Sequence, residues 1–568
     1  MAPVLQAAGE APYWDSSERN GWTYLLPPLC ARRVLLVNAD ASRSLSLARL
    51  CQDAAMVWDE RIPALRRPPD AESAGHCWHS VDELLAQQSL PFDAVILHDP
   101  EGRLLGVRAW PRVLQLLGHL RSAMPANAFI YVGMRQAWSP QRLAAWASAR
   151  RERSSRGKVR HLLSIGRVTH DLRRAGFEHI EVHPYIMWGD TMAEVVPASG
   201  YRASKNRESR RERIKEMLLG PTGMHFLAPA YGVVAGSRAL SPGMIELFGQ
   251  RLDAAKLPTQ HTDRSRPVLS QHLVFPGNKA IVAMGPPAEG GGVVGIFVGD
   301  DLALERRRAE SSLLTGLAEL PPPLARLIPK VLDQWSVGKT TVFVMNRLPG
   351  VSLDIAADVL DEVTRNALDF VIDLHRASAA PCAMDASAHA ARIGVLLAAA
   401  AARNPPLAAE LRSLDEPLQA RLSGLNIPKV WQHGDYKVEN VLYDQRTRVL
   451  TGVIDWELAT RDGLPLLDPL YLIIYNRMIR GDNGLTALRD VLLERRLTAF
   501  EKSCIARYMR ATGLAEAVWQ PLCAVFIAHH IGHRIHLPAD PALFDQLRVF
   551  ITDMRAALVS STVQPPAA

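Results

Sequence analysis

The stretch that decides the reading is Val430-Trp431-Gln432-His433-Gly434-Asp435-Tyr436-Lys437-Val438-Glu439-Asn440-Val441-Leu442. An Asp and an Asn stand five residues apart on a loop, and the apolar pair Val441-Leu442 follows. Fourteen residues beyond Asn440 begins Ile454-Asp455-Trp456-Glu457, where an Asp ends the apolar strand Gly452-Val453-Ile454. Phosphoryl transfer to a hydroxyl needs such a set: a carboxylate beside the acceptor and hard oxygen ligands that hold Mg2+ against the phosphates. The bland alternative is a turn with a capping Asp and a strand that happens to end in Asp.

The pattern H-G-D-x-x-x-x-N followed by I-D-W-E resembles the aminoglycoside phosphotransferase and choline kinase family, small-molecule relatives of the protein kinases. The resemblance implies an α+β protein-kinase-like fold, with ATP and Mg2+ as cofactors and a small-molecule hydroxyl as acceptor. By it, Asp435 accepts or orients the hydroxyl proton, His433 supports the loop, and Asn440 with Asp455 holds Mg2+. Gly463 to Asp468 is similar to the family's continuation, which makes Asp468 a structural anchor. Val342 to Gly350 looks like the approach to the interlobe hinge. The backbone of Met345, Asn346, Arg347 and Leu348 then meets the adenine. Leu374-His375 matches a helical Leu-His upstream of the catalytic segment.

Aligned on Gly292-Val293-Val294-Gly295-Ile296, the resemblance puts Gly295 where the family carries the Lys that holds the α- and β-phosphates. Glu310 takes the place of that lysine's helix partner, since Leu314 and Leu317 follow it at helical spacing. Lys279, on the preceding strand, is the available substitute. From 500 to 557 the acids Glu501, Glu516, Asp540, Asp545 and Asp553 face the bases Lys502, Arg507, Arg510, Arg534, Arg548 and Arg555. A polycationic acceptor wants a net acidic platform, so antibiotic modification is not the first expectation. His529, His533 and His536 share one helical face, with His530 beside them. Such a face suits packing or acceptor lining better than zinc, because no carboxylate or Cys ligand accompanies it.

The first half alternates apolar strands with helical stretches, the order of an α/β sheet of largely parallel strands. Val34 to Val37, Phe92 to Leu97, Phe129 to Val132 and Phe177 to Val182 read as strands. Leu45 to Ala54, Val113 to Leu120 and His170 to Ala175 read as helices. The order is similar to that of class I S-adenosylmethionine-dependent methyltransferases, a Rossmann-like fold. Asn38, Asp40 and Ser42 stand at that family's glycine positions, and side chains there obstruct close approach of a ligand to the backbone. Asp59 or Glu60, after the second strand, is the acid for ribose hydroxyls. S-adenosylmethionine is not expected as a cofactor, and the domain is read as degenerate.

The chain of 568 residues carries a net charge of +7, with 22% charged and 48% hydrophobic residues. That excludes wholesale disorder and leaves only a mild basic excess, so no nucleic-acid partner is expected. Two basic stretches, Arg150 to Arg160 and Arg202 to Lys215, read as solvated, the second with Glu208, Glu212 and Glu216 interspersed. Six scattered cysteines without a CxxC pair argue against a disulfide framework. With no basic-then-apolar leader and no apolar run near 20 residues, a cytoplasmic protein without a membrane partner is expected.

The organisation expected is a methyltransferase-like domain over 22–237, a linker over 238–267, and a kinase-like domain over 268–557. The last divides into a small lobe, 268–348, and a large lobe, 349–557. Two alternatives stay open. One is a pseudokinase and pseudomethyltransferase scaffold in a biosynthetic assembly, with a protein partner on the N-terminal domain. The other is a methyltransferase whose second half is regulatory.

Overall fold

The computed structural model describes residues 21–29, 32–37, 51–62, 65–66, 77–99, 109–135, 163–188, 191–195, 230–254, 272–274, 279–284, 292–299, 301–352, 359–533 and 541–560. Asn38, Asp40 and Ser42, both basic stretches, residues 255–267 and His536 lie outside them.

The N-terminal sheet contains β1 (Arg33–Leu36), β2 (Asp53–Trp58), β3 (Cys77–Ser80), β4 (Ala94–Asp99), β5 (Phe129–Arg135), β6 (His179–Trp188), β7 (Thr191–Val195) and β8 (Ala230–Gly236). Their spatial order is β3-β2-β1-β4-β5-β8-β6-β7. The first five run parallel, while β8 enters antiparallel between β5 and β6. This is a Rossmann-like sheet of the methyltransferase kind, with β7 added as a hairpin partner. Its central strands β4 and β8 are buried along their whole length; Ala94 to Leu97 is accordingly an unbroken apolar run, and the buried His98 and Asp99 end β4. Helices α1 (Val81–Ala86), α2 (Trp110–Ala123) and α3 (Ile165–Arg174) cover one face, where Leu35, Val95 and Leu97 meet Val113, Leu116 and Leu172. The reading of Leu45 to Ala54 as one helix fails at its end, because Ala54 already lies in β2.

The other face shows where the expected linker goes. Residues 238–267 include α4 (Met244–Ala254), whose Met244, Ile245, Phe248 and Leu252 recur at helical spacing and are buried. They pack on Val34, Leu36, Ile96 and Tyr131 of the N-terminal sheet and on Ala280, Val282, Val293, Phe297, Val342 and Val344 of the next domain. Helix α4 is therefore a shared core element, and residues 255–267 of the expected linker lie outside the described residues.

That next domain opens with a five-stranded antiparallel sheet: β9 (His272–Val274), β10 (Lys279–Met284), β11 (Val293–Val298), β12 (Val331–Val337) and β13 (Thr340–Asn346). It joins the first sheet through β9 and β7, where Glu194 pairs with Val274, so thirteen strands form one sheet. Helix α5 (Asp301–Leu317) follows β11, as a kinase-like small lobe requires. The large lobe is mostly helical and has its own core, built around α6 (Leu360–Ser378), α7 (Leu467–Ile479), α8 (Ala499–Thr512) and α9 (Trp519–His533). Two small sheets carry the segment from Val430 to Gly463: β14 (Val351–Ser352), β16 (Val441–Tyr443) and β17 (Leu450–Val453) form a three-stranded one, and β15 (Val430–Gln432) pairs with β18 (Thr460–Gly463). Among the described residues no single helix is long and apolar enough to cross a membrane.

Candidate active site

The loop after β15 is held from beneath by Asp468, which is fully buried at the start of α7. Its two carboxylate oxygens accept the His433 and Gly434 N–H groups at 2.8 and 3.0 Å. The anchoring role expected of Asp468 is thus what the geometry shows. The Tyr508 hydroxyl accepts from Leu466 N–H and lies 2.6 Å from His375 Nδ1, which brings the upstream His375 into the same support. His433 Nε2 donates to Ile454 O at 2.9 Å, and its Nδ1 accepts from Asp435 N–H at 3.3 Å. Both ring nitrogens are used by the backbone, so His433 positions the loop and ties it to the Asp455 segment.

Gly434 makes the turn possible. Its φ is +85°, and a Cβ there would sit 2.4 Å from Leu458 O. Gly434→Ala is therefore expected to cost at least about 1–3 kcal/mol in backbone strain alone. A drop in melting temperature is the expected readout, and an unchanged protein would show the loop to be adaptable.

The sequence-predicted residues meet as follows. Asn440 Nδ2 donates to Asp435 O at 2.9 Å and approaches Asp435 Oδ2 at 3.3 Å. Ile454 N–H donates to Asn440 O at 2.9 Å, which fixes Asp455, the next residue, beside the same loop. Asp455 itself has φ +65°, a left-handed conformation that Asp tolerates better than most residues, and a short 3-10 turn starts directly after it. Sequence reasoning passed over Lys437. Its Nζ lies 3.0 Å from Asp435 Oδ2 and 5.3 Å from the centre of the Tyr475 ring. Burial alone would lower the Lys437 ammonium, but the Asp435 carboxylate outweighs it and holds the group above the usual lysine range.

The small-lobe side departs from the sequence reading. Along β11, Val293 and Phe297 face α4, while Ile296 and Val298 face Ala303 on α5. Gly295 shares the α4 face, and a Cβ on it would lie 2.5 Å from Phe248 Cζ. Gly295 is therefore not an emptied lysine position: it looks away from the cleft, and its missing side chain makes room for Phe248. Lys279 is on the cleft side, since it shares the face of Ile281, which packs with Ile296 and Val298. Its Nζ donates to Glu457 Oε2 at 2.7 Å. Glu310 on α5 pairs with Arg307 rather than with a strand lysine. Burial raises the Glu310 carboxyl, and the opposing pull of Arg307 only partly offsets this. For Glu457 burial also pushes up, yet Lys279 and Arg307 win and hold it at about 2.

At the hinge, Asn346 N–H donates to Lys330 O and Arg347 N–H to Gly292 O, at 3.1 and 2.7 Å. Two of the four expected adenine-facing N–H groups are thereby committed to the small lobe. Met345 packs between the small-lobe and large-lobe cores, and Leu348 is buried. The His529 ring is spent on Gln432 and the Tyr471 hydroxyl, and His530 stacks on Phe526. Among the described residues no three His, Cys, Asp or Glu side chains stand close enough to hold a metal, and the His533 side chain and His536 lie outside them.

In the N-terminal sheet, Asp59 is not left open to a ribose. Its Oδ1 accepts from Arg61 N–H and Nε, both at 2.9 Å, and its Oδ2 from Arg61 at 3.2 Å and Arg112 at 3.4 Å. Burial opposes ionisation of Asp59, but the Arg61 hydrogen bonds prevail and its carboxyl stays below the usual range. The Asp59 carboxylate is thus engaged by Arg61 and Arg112, and the loop expected beside the ligand, Asn38 to Ser42, lies outside the described residues.

No curated protein matches the chain. Among solved structures, an aminoglycoside phosphotransferase from Streptomyces rimosus in complex with ADP and streptomycin is 18% identical, covering 44% of this chain and 90% of its own, with TM-score 0.31. A thermostable mutant of another aminoglycoside phosphotransferase, in a ternary complex with ADP and hygromycin B, is 16% identical over 50% of this chain and 92% of its own, TM-score 0.33. A SAM-dependent methyltransferase from Archaeoglobus fulgidus is 15% identical over 36% of this chain and 86% of its own, TM-score 0.24. Residues 298–506, which hold α5, the hinge and the whole Asp435 to Asp455 segment, match the phosphotransferase enzyme family, and this part of the chain is a phosphotransferase domain of that family.

Proposed function

We propose that the C-terminal half transfers a phosphoryl group from ATP, with Mg2+, to the hydroxyl of a small molecule. The observation that carries this reading is the joined set Asp435, Asn440 and Asp455: Asn440 holds Asp435 through its side-chain amide and the Asp455 segment through its backbone. Asp435 takes up the hydroxyl proton as that oxygen attacks, and Asn440 and Lys437 keep its carboxylate aimed. Because the Asn440 Nδ2 end is spent on Asp435, the amide oxygen is the end suited to a hard cation, with the Asp455 carboxylate as second ligand. Bound Mg2+ would neutralise charge on the phosphates. Lys279 supplies a positive charge on the cleft face of the small lobe, and the segment from Met345 to Leu348 borders the adenine.

Lys437, 3.0 Å from the proposed base, also bears on the acceptor. A polycation would bring like charge against it, which favours a neutral or anionic hydroxyl compound. Asp59, closed by its arginines, supports a supporting rather than methylating N-terminal domain.

Calorimetric titration of ATP, with and without Mg2+, on the wild type and on Asp455→Ala tests the reading. Metal-dependent binding that disappears in the variant is the expected result. A wild type that binds no ATP would turn the kinase-like half into a scaffold.

A further inference from the structure

The cleft face of β11 offers only Val294, Ile296 and Val298, so no cation reaches the nucleotide from that strand. Two cations arrive from elsewhere and converge. Lys279 Nζ and Arg307 Nη2 both donate to the same atom, Oε2 of Glu457, at 2.7 and 2.9 Å. Arg307 also pairs with Glu310 one helical turn away. The side chains of Lys279, Arg307, Glu457 and Glu310 are only 11, 5, 10 and 4% exposed.

A buried group of four charges is costly to assemble, and apolar side chains of the same volume often serve stability as well or better. Buried ionisable clusters that border a cleft are a recurrent mark of binding sites. The geometry here is more specific than a cluster. Two donors meet at one anionic oxygen, two residues beyond Asp455, and a phosphate oxygen presents the same charge and acceptor character. Arginine, with its planar fork of donors, is the side chain best matched to that anion. Arg307 is carried on α5 inside the region matched to the phosphotransferase family, while Lys279 lies ahead of it on β10.

We propose that Arg307 is a ligand of the nucleotide phosphates and shares with Lys279 a two-cation seat that Glu457 fills until nucleotide arrives. The inference rests on the phosphotransferase reading above and adds to it the residue that does the work of the absent strand lysine. On binding, the phosphates replace the Glu457 carboxylate between the two cations, and no covalent bond changes. Glu310 keeps hold of Arg307 from the helix side throughout.

The test compares ATP with adenosine, which has the base and ribose but no phosphate. Both are titrated calorimetrically into the full chain as wild type, Arg307→Met and Glu457→Gln. Loss of one charge-assisted contact is expected to weaken ATP about 10–100-fold in Arg307→Met. Adenosine affinity should stay level. Glu457→Gln removes the competing anion and should tighten ATP several-fold, again without effect on adenosine. Should Arg307→Met fold poorly, Arg307→Met with Glu310→Gln removes both members of the i,i+3 pair and carries the same comparison. Equal losses for ATP and adenosine would reduce Arg307 to a structural role. Unchanged ATP binding in Arg307→Met, or weakened ATP binding in Glu457→Gln, would overturn the seat while leaving the phosphotransferase reading intact. A wild type that binds no ATP would end both.

Discussion

Asp435→Asn lowers phosphoryl transfer by about 10²–10⁴-fold, the usual contribution of a positioned general base, and leaves the ATP dissociation constant within about twofold of wild type. The substitution is nearly isosteric, so the side-chain oxygen can still lie near Asn440 Nδ2 and the loop keeps its backbone anchors to Asp468 and His433. What it removes is the negative charge, and with it the ability to take a proton from the acceptor. Lys437, whose ammonium sits against that carboxylate, loses its nearer counterion and keeps Glu439 at 3.7 Å. Initial-rate kinetics on whichever acceptor a screen of hydroxyl compounds returns will separate the two quantities. A rate that does not fall would exclude Asp435 from the chemistry, whatever the nucleotide does.

The largest loss of stability is expected from Phe248→Ala. Phe248 is fully buried, meets Phe297 edge to face with ring centres 5.4 Å apart, and lies over Gly295. Truncating a buried Phe costs about 3–5 kcal/mol, a large share of the roughly 5–15 kcal/mol that holds a typical domain together. Thermal and denaturant unfolding of the variant should shift accordingly. Gly295→Ala alone should also destabilise, because its Cβ would enter the Phe248 ring. In the Phe248→Ala background the same methyl enters the vacated space, so the second substitution should be neutral or restorative. That sign reversal in a double-mutant cycle is the decisive signature of a glycine kept for Phe248. Additive losses would mean that Gly295 is required for some other reason.

Much of this protein is legible in its sequence. The buried strands β4, β11 and β13 carry short apolar runs, and the spacing of Asp435, Asn440 and Asp455 singles out the proposed catalytic segment before any geometry is known. The failures have physical causes. In Val293-Val294-Gly295-Ile296-Phe297-Val298 both faces are buried, so no polar–apolar alternation tells which way Gly295 looks. A shift of one residue reverses every side chain, so the strand's sequence leaves the direction of Gly295 open. Helix α4 did carry a readable pattern in Met244, Ile245, Phe248 and Leu252, but the prolines and the polar run around it drew the reading toward a linker. The partners of Asp59 and Glu457 were out of reach for a different reason. Arg112 lies 53 residues from Asp59, and Arg307 lies 150 from Glu457, so only folding brings them together.

The shared core around α4 has a consequence for how the chain divides. In kind there are two parts, one methyltransferase-like and one kinase-like. Packing does not follow that division. Val293, Phe297, Val342 and Val344 belong to the same core as Val34, Ile96 and Tyr131, whereas Leu313, Leu314 and Leu317 of α5 belong with the large lobe. The cohesive units are therefore offset by one lobe from the two fold types. A cut between β8 and β9 would leave the kinase-like half with an apolar wall in water. Met345 packs against both the large-lobe core and the small-lobe cluster of Ile296 and Val298, so the border between the cohesive units falls just ahead of Arg347 and Leu348.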